Sequence, residues 1–328
     1  MSATSFKHHI RPRTWDGIIA LLLIFSACTV MLSLGMFRHA SGYAALFWLS
    51  SGVIFGCGFL LTAYGSFVEP QRLTVKNVRV ALPVMLPVSI AIASDFHVGP
   101  YKGAAYMRRV VDKLLALEPD VILLPGDFLF DETAEMELLR PLALLRAPLG
   151  VFAVSGNHDA GNYLTRDKRP FHVQDRVPEL AKFLRGLGIT VLRNEHVVLS
   201  RDGVPLLTLA GIDELWMPES DLDRAYEGAS SELPLLLLSH QPEVILDTRS
   251  AQADLIVSGH THGGQVRLPF IGPLAGMPSK LGRAYDRGLF TLQNGTRLFI
   301  TQGAGESLVR ARLFCPPEIV FFEISAPT

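Results

Sequence analysis

The chain has 328 residues, enough for a large hydrophobic core, and its 30 Lys+Arg against 31 Asp+Glu leave a formal net charge of -1. That balance, without interleaved basic and aromatic residues, argues against a nucleic-acid partner. Three cysteines, Cys28, Cys57 and Cys315, are too few and too scattered for a disulfide framework or a thiolate metal site, and they fit a reducing compartment.

Residues 1–16 read as a short N-terminal tail. Two uncharged apolar runs follow, 17–37 and 40–68. At about 1.5 Å per residue each is long enough to cross a hydrocarbon core of about 30 Å. Only a few residues around Arg38 and His39 separate them, so 17–68 is expected to form a transmembrane helical hairpin. Gly42, Ser50, Ser51, Gly52, Gly56 and Gly58 are small enough to let the two helices approach closely. Lys7, Arg11 and Arg13 precede the first run, Arg72, Lys76 and Arg79 follow the second, and the tip carries only Arg38. The positive-inside rule then puts both ends in the cytoplasm. An export signal is the alternative for the first run, but no small-residue cleavage site precedes Arg38. Buried helices of a soluble core would need a large protein around two such runs in series.

Pro70 ends the membrane segment, and 69–328 is expected to be one catalytic domain. Strands are expected at 73–82, 88–93, 121–124 and 151–154, with helices at 104–117, 133–145 and 178–187. This alternation suggests parallel βαβ units. The second half is richer in strands: 190–192, 197–199, 206–210, 235–238, 255–257, 265–268, 288–292, 298–301 and 319–323. The expected fold class is α/β, with two packed mixed β-sheets flanked by helices.

The apolar strands end in polar clusters that a core does not want. Asp95 and His97 follow the first, Asp127 the second, Asn157 and His158 the third. Asp95 to Asp127 is 32 residues and Asp127 to Asn157 is 30, each one strand-helix-strand unit. Adjacent parallel strands then carry all three clusters to one sheet edge, where α/β folds bind ligands. Two later strands end in His240 and in Gly259-His260-Thr261-His262-Gly263-Gly264. On an extended segment His260 and His262 point the same way. A lone His or Asp at a strand end is usually a turn residue; five such clusters in one chain have no ready structural explanation. Carboxylate, imidazole and amide donors suit Mn²⁺, Fe²⁺ or Zn²⁺. Seven donors exceed one tetrahedral ion and suit two divalent metal ions sharing a carboxylate.

Asp95-x-His97, Gly126-Asp127, Gly156-Asn157-His158-Asp159, the His240 segment and Gly259-His260-x-His262 together resemble the calcineurin-like metallophosphoesterase superfamily. The resemblance runs from about 88 to 323. Segments 263–270 and 315–319 are similar to a bacterial, membrane-anchored branch that includes phosphodiesterases and UDP-diacylglucosamine hydrolases. The resemblance implies a four-layer α/β/β/α fold. It implies one metal on Asp95, His97, Asp127 and His262, and another on Asp127, Asn157, His240 and His260. It implies His158 as a catalytic group beside the leaving oxygen. Asp159 either orients His158 or is a turn carboxylate. A hydroxide bridging two ions would attack phosphorus. The expected substrate is a phosphodiester or pyrophosphate, lipid-linked or nucleotide-containing, met near the membrane surface; the expected location is the bacterial inner membrane, with the catalytic domain cytoplasmic. Arg267, Arg283, Arg287, Arg310 and Arg312 are candidate phosphate contacts or plain surface residues. A phosphomonoesterase and an inactive membrane-tethered binding protein are the alternatives. Oligomeric state is not legible.

Overall fold

The computed structural model describes residues 12–164 and 170–327. Two long helices come first, α1 (Pro12–Phe37) and α2 (Gly42–Ala63). Both are apolar and long enough to cross a membrane. Their side chains face outward, with Leu21, Ile24, Phe25, Phe47 and Ile54 all exposed, which a soluble core would not leave uncovered. The small residues divide. Ser33 Oγ donates to Ser51 Oγ at 3.1 Å and a Cβ on Gly52 would touch Ser33, whereas Gly42 and Gly58 meet nothing. Lys7 and Arg11, part of the orientation argument, lie outside the described residues.

Helix α2 runs on through a π turn, Tyr64–Val68, into a 3₁₀ turn, Glu69–Gln71. Strand β1 (Thr74–Ala81) follows, then β2 (Val88–Ile92), helix α3 (Ala104–Leu115), β3 (Val121–Pro125) and β4 (Val151–Val154). A small hairpin, β5 (Asn162–Leu164) and β6 (Pro170–His172), leads to α4 (Val177–Gly186) and β7 (Thr190–Val191). The second half holds β8 (Glu195–Arg201), β9 (Val204–Gly211), α5 (Leu222–Tyr226), β10 (Leu235–Leu238) and β11 (Leu255–Ser258). It ends with β12 (Arg267–Leu268), β13 (Gly272–Pro273), β14 (Gly288–Thr291), β15 (Arg297–Ile300) and β16 (Glu318–Ser325).

Two six-stranded mixed sheets result, in the orders β1-β16-β2-β3-β4-β7 and β14-β15-β11-β10-β9-β8. Strand alternation builds the layers. Ile90, Ile92, Leu123 and Val154 face the second sheet and meet Leu207, Leu236, Val257 and Phe299. Ala91, Ile122 and Ala153 point the other way, onto Met107, Val110 and Leu114 of α3 and Leu180 and Leu184 of α4. Outside the second sheet, α5 covers Leu235, Leu237 and Ile256. β2, β3 and β4 are adjacent and parallel, as the spacing required.

Two elements differ from expectation. Residues 133–145 hold no α-helix; Met136–Leu144 is 3₁₀ with Pro141 inside, where the missing N–H and the ring exclude α-helical bonding. The strand expected at 265–268 is only Arg267–Leu268, because Gly263, Gly264 and Gln265 all adopt positive φ.

Candidate metal centre

Each candidate ligand sits where a buried strand runs out. Asp95, His97, Asp127, His240, His260 and His262 are at most 5% exposed, and Asn157 is 4% exposed. Asp95, His97, Asp127 and His262 place one donor atom each within 4.8 Å of one another, and so do Asp127, His240 and His260. Asp127 belongs to both groups.

The hydrogen bonds explain how one carboxylate serves two groups. Asp127 Oδ1 accepts the backbone N–H of His158 at 2.9 Å. Its Oδ2 is thereby left facing His97 Nε2 at 3.4 Å and His240 Nε2 at 3.2 Å. On one side the Nε2 atoms of His97 and His262 lie 3.0 Å apart, with Asp95 Oδ1 3.5 Å from His262 Nε2. On the other, Asn157 Oδ1 is 2.8 Å from His260 Nδ1 and 3.2 Å from His240 Nε2. Asn157 Nδ2 donates to Asn162 O at 2.8 Å, so its oxygen is the atom turned inward. His240 Nδ1 must donate to the Pro125 carbonyl at 2.7 Å, which turns Nε2 toward the site, where an ion can take the place of its proton. Electron pairs thus converge from every side on two points, which is what a pair of cations requires.

Charge reinforces this. Burial first, then neighbouring charge, holds His97 and His262 well below 6.5 and His260 at about 4, so these imidazoles stay neutral and able to ligate. Burial raises Asp127, but the charge and hydrogen bond of His240, the largest opposing influence, outweigh it and hold the carboxyl well below 3.8. Asp95 is pushed up to about 6, chiefly by burial.

Close packing requires glycine at two places. A Cβ on Gly156 would lie 2.1 Å from Asp127 Oδ1, and one on Gly259 would lie 2.4 Å from Asp95 Oδ2. The extended geometry expected for 260–262 is corrected: His260 and His262 have φ of 72° and 53°. The chain turns sharply between them, so they face different groups.

His158 is half-buried beside the centre, its ring 4.4 Å from that of His97. Its Nδ1 donates to Phe130 O at 2.6 Å, and Nε2 lies 3.4 Å from Ser307 Oγ. The Asp159 carboxylate accepts three backbone N–H groups, from Phe128, Leu129 and Gly156, at 2.9–3.0 Å. Burial, then the charge of Asp127, raises it to about 7 against those three donors.

Of the candidate phosphate contacts, Arg312 is corrected: it is fully buried and clamps the carbonyls of Gln302, Gly305 and Cys315. It also approaches His262 Nδ1 at 3.5 Å. Arg267 is tied to Asp286 and Gly263 O. No pattern in the sequence marked Glu214, which accepts from Asn162 and Gln241 behind Asn157.

The model of the calcineurin-like phosphoesterase family matches residues 88–264, more than half of the chain. The chain belongs to this family. Its chemistry is hydrolysis of phosphate esters, and its His/Asp cluster could hold a dimetal centre. It is similar to the uncharacterised metallophosphoesterase YkuE of Bacillus subtilis, 30% identical over 237 residues, 71% of this chain and 77% of that one. The UDP-2,3-diacylglucosamine pyrophosphatase LpxG of Chlamydia muridarum is 28% identical over 302 residues, 78% of this chain and 90% of its own. A transmembrane protein with metallophosphoesterase domain from Bos taurus is 31% identical over 268 residues, covering 76% and 56% of the two chains. These relatives and the two apolar helices support association with a membrane.

Proposed function

We propose that this phosphoesterase hydrolyses a phosphodiester or pyrophosphate bond in a lipid-linked, nucleotide-containing substrate at the membrane surface. The observation that carries the reading is how close the centre lies to the membrane helix. Arg312 reaches His262 at 3.5 Å, and its backbone N–H donates to Gly65 O, at the end of the membrane segment, at 2.8 Å. One side chain spans the gap. The similarity to LpxG along most of both chains supports a lipid-linked pyrophosphate as the substrate class.

In this reading Asp95, His97, Asp127 and His262 hold one divalent ion, and Asp127, Asn157, His240 and His260 the other. When bound, the ions supply an activated water and neutralise charge on the phosphoryl oxygens. The protein's own part is orientation and proton transfer. His158 carries a fixed Nδ1–H on Phe130 O, so Nε2 is the atom that can give a proton to the departing oxygen. Asp159 positions the two loops that present Asp127 and His158. Both chain ends lie in the cytoplasm of a bacterial cell, with the hairpin in the inner membrane.

The test compares substrates on the purified full chain loaded with Mn²⁺ or Zn²⁺. UDP-2,3-diacylglucosamine should be cleaved fastest, bis-p-nitrophenyl phosphate more slowly and p-nitrophenyl phosphate least. Preference for the monoester would overturn the bond class. A C-terminal topology reporter that reads outside the cytoplasm would overturn the orientation.

A further inference from the structure

The β12–β13 hairpin stands apart from both large sheets. At its tip Phe270 is exposed at 109% and Ile271 at 61%. Phe270 also holds a φ of 65°, a conformation that glycine or asparagine adopts at less cost. A strained aromatic ring standing free in water does nothing for the stability of the domain.

Two observations say what covers it. The first is position. The hairpin base is bonded to Leu313: Arg267 N–H donates to Leu313 O at 2.9 Å, and Leu313 N–H to Gln265 O at 3.0 Å. Leu313 is also where the membrane segment lands, since a Cβ on Gly65 would lie 3.5 Å from its side chain. Phe314, 47% exposed, lines a crevice with Leu61 and Tyr64 of that segment. It also lines a cavity of about 420 Å³ with Phe270 and Ile271. Apolar surface is therefore continuous from the membrane helix to the hairpin tip. The second is charge. The exposed Arg283 lines the same cavity, as does Arg287, which is held inward by Gln302 Oε1, and Arg310 lies 5.2 Å from the centre of the Phe67 ring. Guanidinium groups among exposed aromatic and aliphatic side chains match the headgroup region of an anionic bilayer.

We propose that the tip at 269–271 is a second membrane contact. Phe270 and Ile271 sit among the headgroups and upper acyl chains of the bilayer that holds α1 and α2, and the arginines face lipid phosphates. Attachment at both Gly65 and Phe270 fixes the tilt of the domain, which a single helix end would leave free to swing. The contact requires no turnover, so it stands or falls independently of the substrate.

Spin labelling of the full chain in lipid nanodiscs tests it. Cys28→Ser and Cys57→Ser remove the exposed thiols, and Cys315 is buried. A label at Phe270→Cys should collide more with oxygen than with a water-soluble nickel chelate in discs containing phosphatidylglycerol. A label at Val198→Cys, exposed on β8, should show the reverse. Discs of phosphatidylcholine alone should reduce the protection at 270. Equal chelate access at 270 and 198 in both lipids would overturn the contact. Full protection in both would overturn the part assigned to the arginines.

Discussion

Five of the candidate ligands, Asp95, His97, Asp127, His260 and His262, occupy left-handed backbone, with φ between 45° and 72°. For residues with a Cβ this costs on the order of 1–3 kcal/mol each, and it persists only where surrounding bonds enforce it. Those bonds are visible: His260 N–H on Asp95 Oδ1, His158 N–H on Asp127 Oδ1, and three amides on Asp159. His158 and Asp159 therefore separate experimentally. His158→Ala keeps the backbone N–H that orients Asp127 and removes only the ring. The variant should retain both metals and lose about 10²–10⁴ in kcat. Asp159→Asn presents an NH₂ group to backbone donors. It should lose metal as well as turnover, and its Tm should fall. Metal analysis beside kcat reads the difference; a His158→Ala protein with full turnover would remove the acid role.

At the scale of elements, the strand ends were legible because an apolar run broken by Asp, Asn or His is a local signal. The parallel order of β2, β3 and β4 followed from spacing alone. Residues 133–145 resemble a helix in sequence because a 3₁₀ run can carry the same apolar spacing, with Pro141 the one local objection. In the sequence the strip at 310–316 reads as phosphate contacts and family resemblance, but its role in joining the membrane segment to the domain has no local signal there. Arg312 reads as a phosphate contact or a surface residue, and nothing local distinguishes Glu69 or Lys102 as buried; only the fold buries all three. Glu69 accepts the Cys315 N–H, and Lys102 Nζ donates to Pro70 O at 2.6 Å, so together they fasten the membrane segment to the domain. Lys102 also pairs with Glu306 at 3.1 Å, both side chains 1% exposed. Burial, the largest effect on each, pulls the lysine down to about 8 and pushes the glutamate up against their mutual attraction. Lys102→Met leaves Glu306 with only the longer pairing to Arg312, at 3.8 Å, and should cost up to about 3–5 kcal/mol, while Lys102→Met with Glu306→Gln should recover much of it. Thermal unfolding compares the two; a single variant as stable as the parent would show that the pair contributes nothing.

Across the whole molecule, protons and metal ions compete for one cavity, and this sets how stability depends on pH. In the metal-free protein His240 is the exception among the site histidines. Burial, the largest single effect, lowers it, but the charge and hydrogen bond of Asp127, and then Asp95, outweigh burial and lift it to about 10. A proton on its Nε2, between Asp127 Oδ2 and Asn157 Oδ1, stands where a cation would otherwise lie. The unfolded chain releases that proton near 6.5. Stability from this group is thus fully present below 6.5 and lost as pH rises through about 10. His97, His262 and His260 are already neutral in that window in both states. Lys102 acts in the opposite sense, gaining stability as pH rises, but mainly above about 8. From pH 7 to 8 the chelator-treated protein should lose about 1.4 kcal/mol for the His240 proton held only in the folded state, with a smaller loss of the same sign from Asp159, whose carboxyl is raised to about 7. Bound ions use the same lone pair, so the metal-loaded protein should lose the His240 part of that slope, and metal-free His240→Gln should lose it too, leaving only the smaller Asp159 part. Tm measured at both pH values on the three samples decides it. A metal-free parent whose Tm is flat or rising over that interval would mean that no proton bridges Asp127 and Asn157.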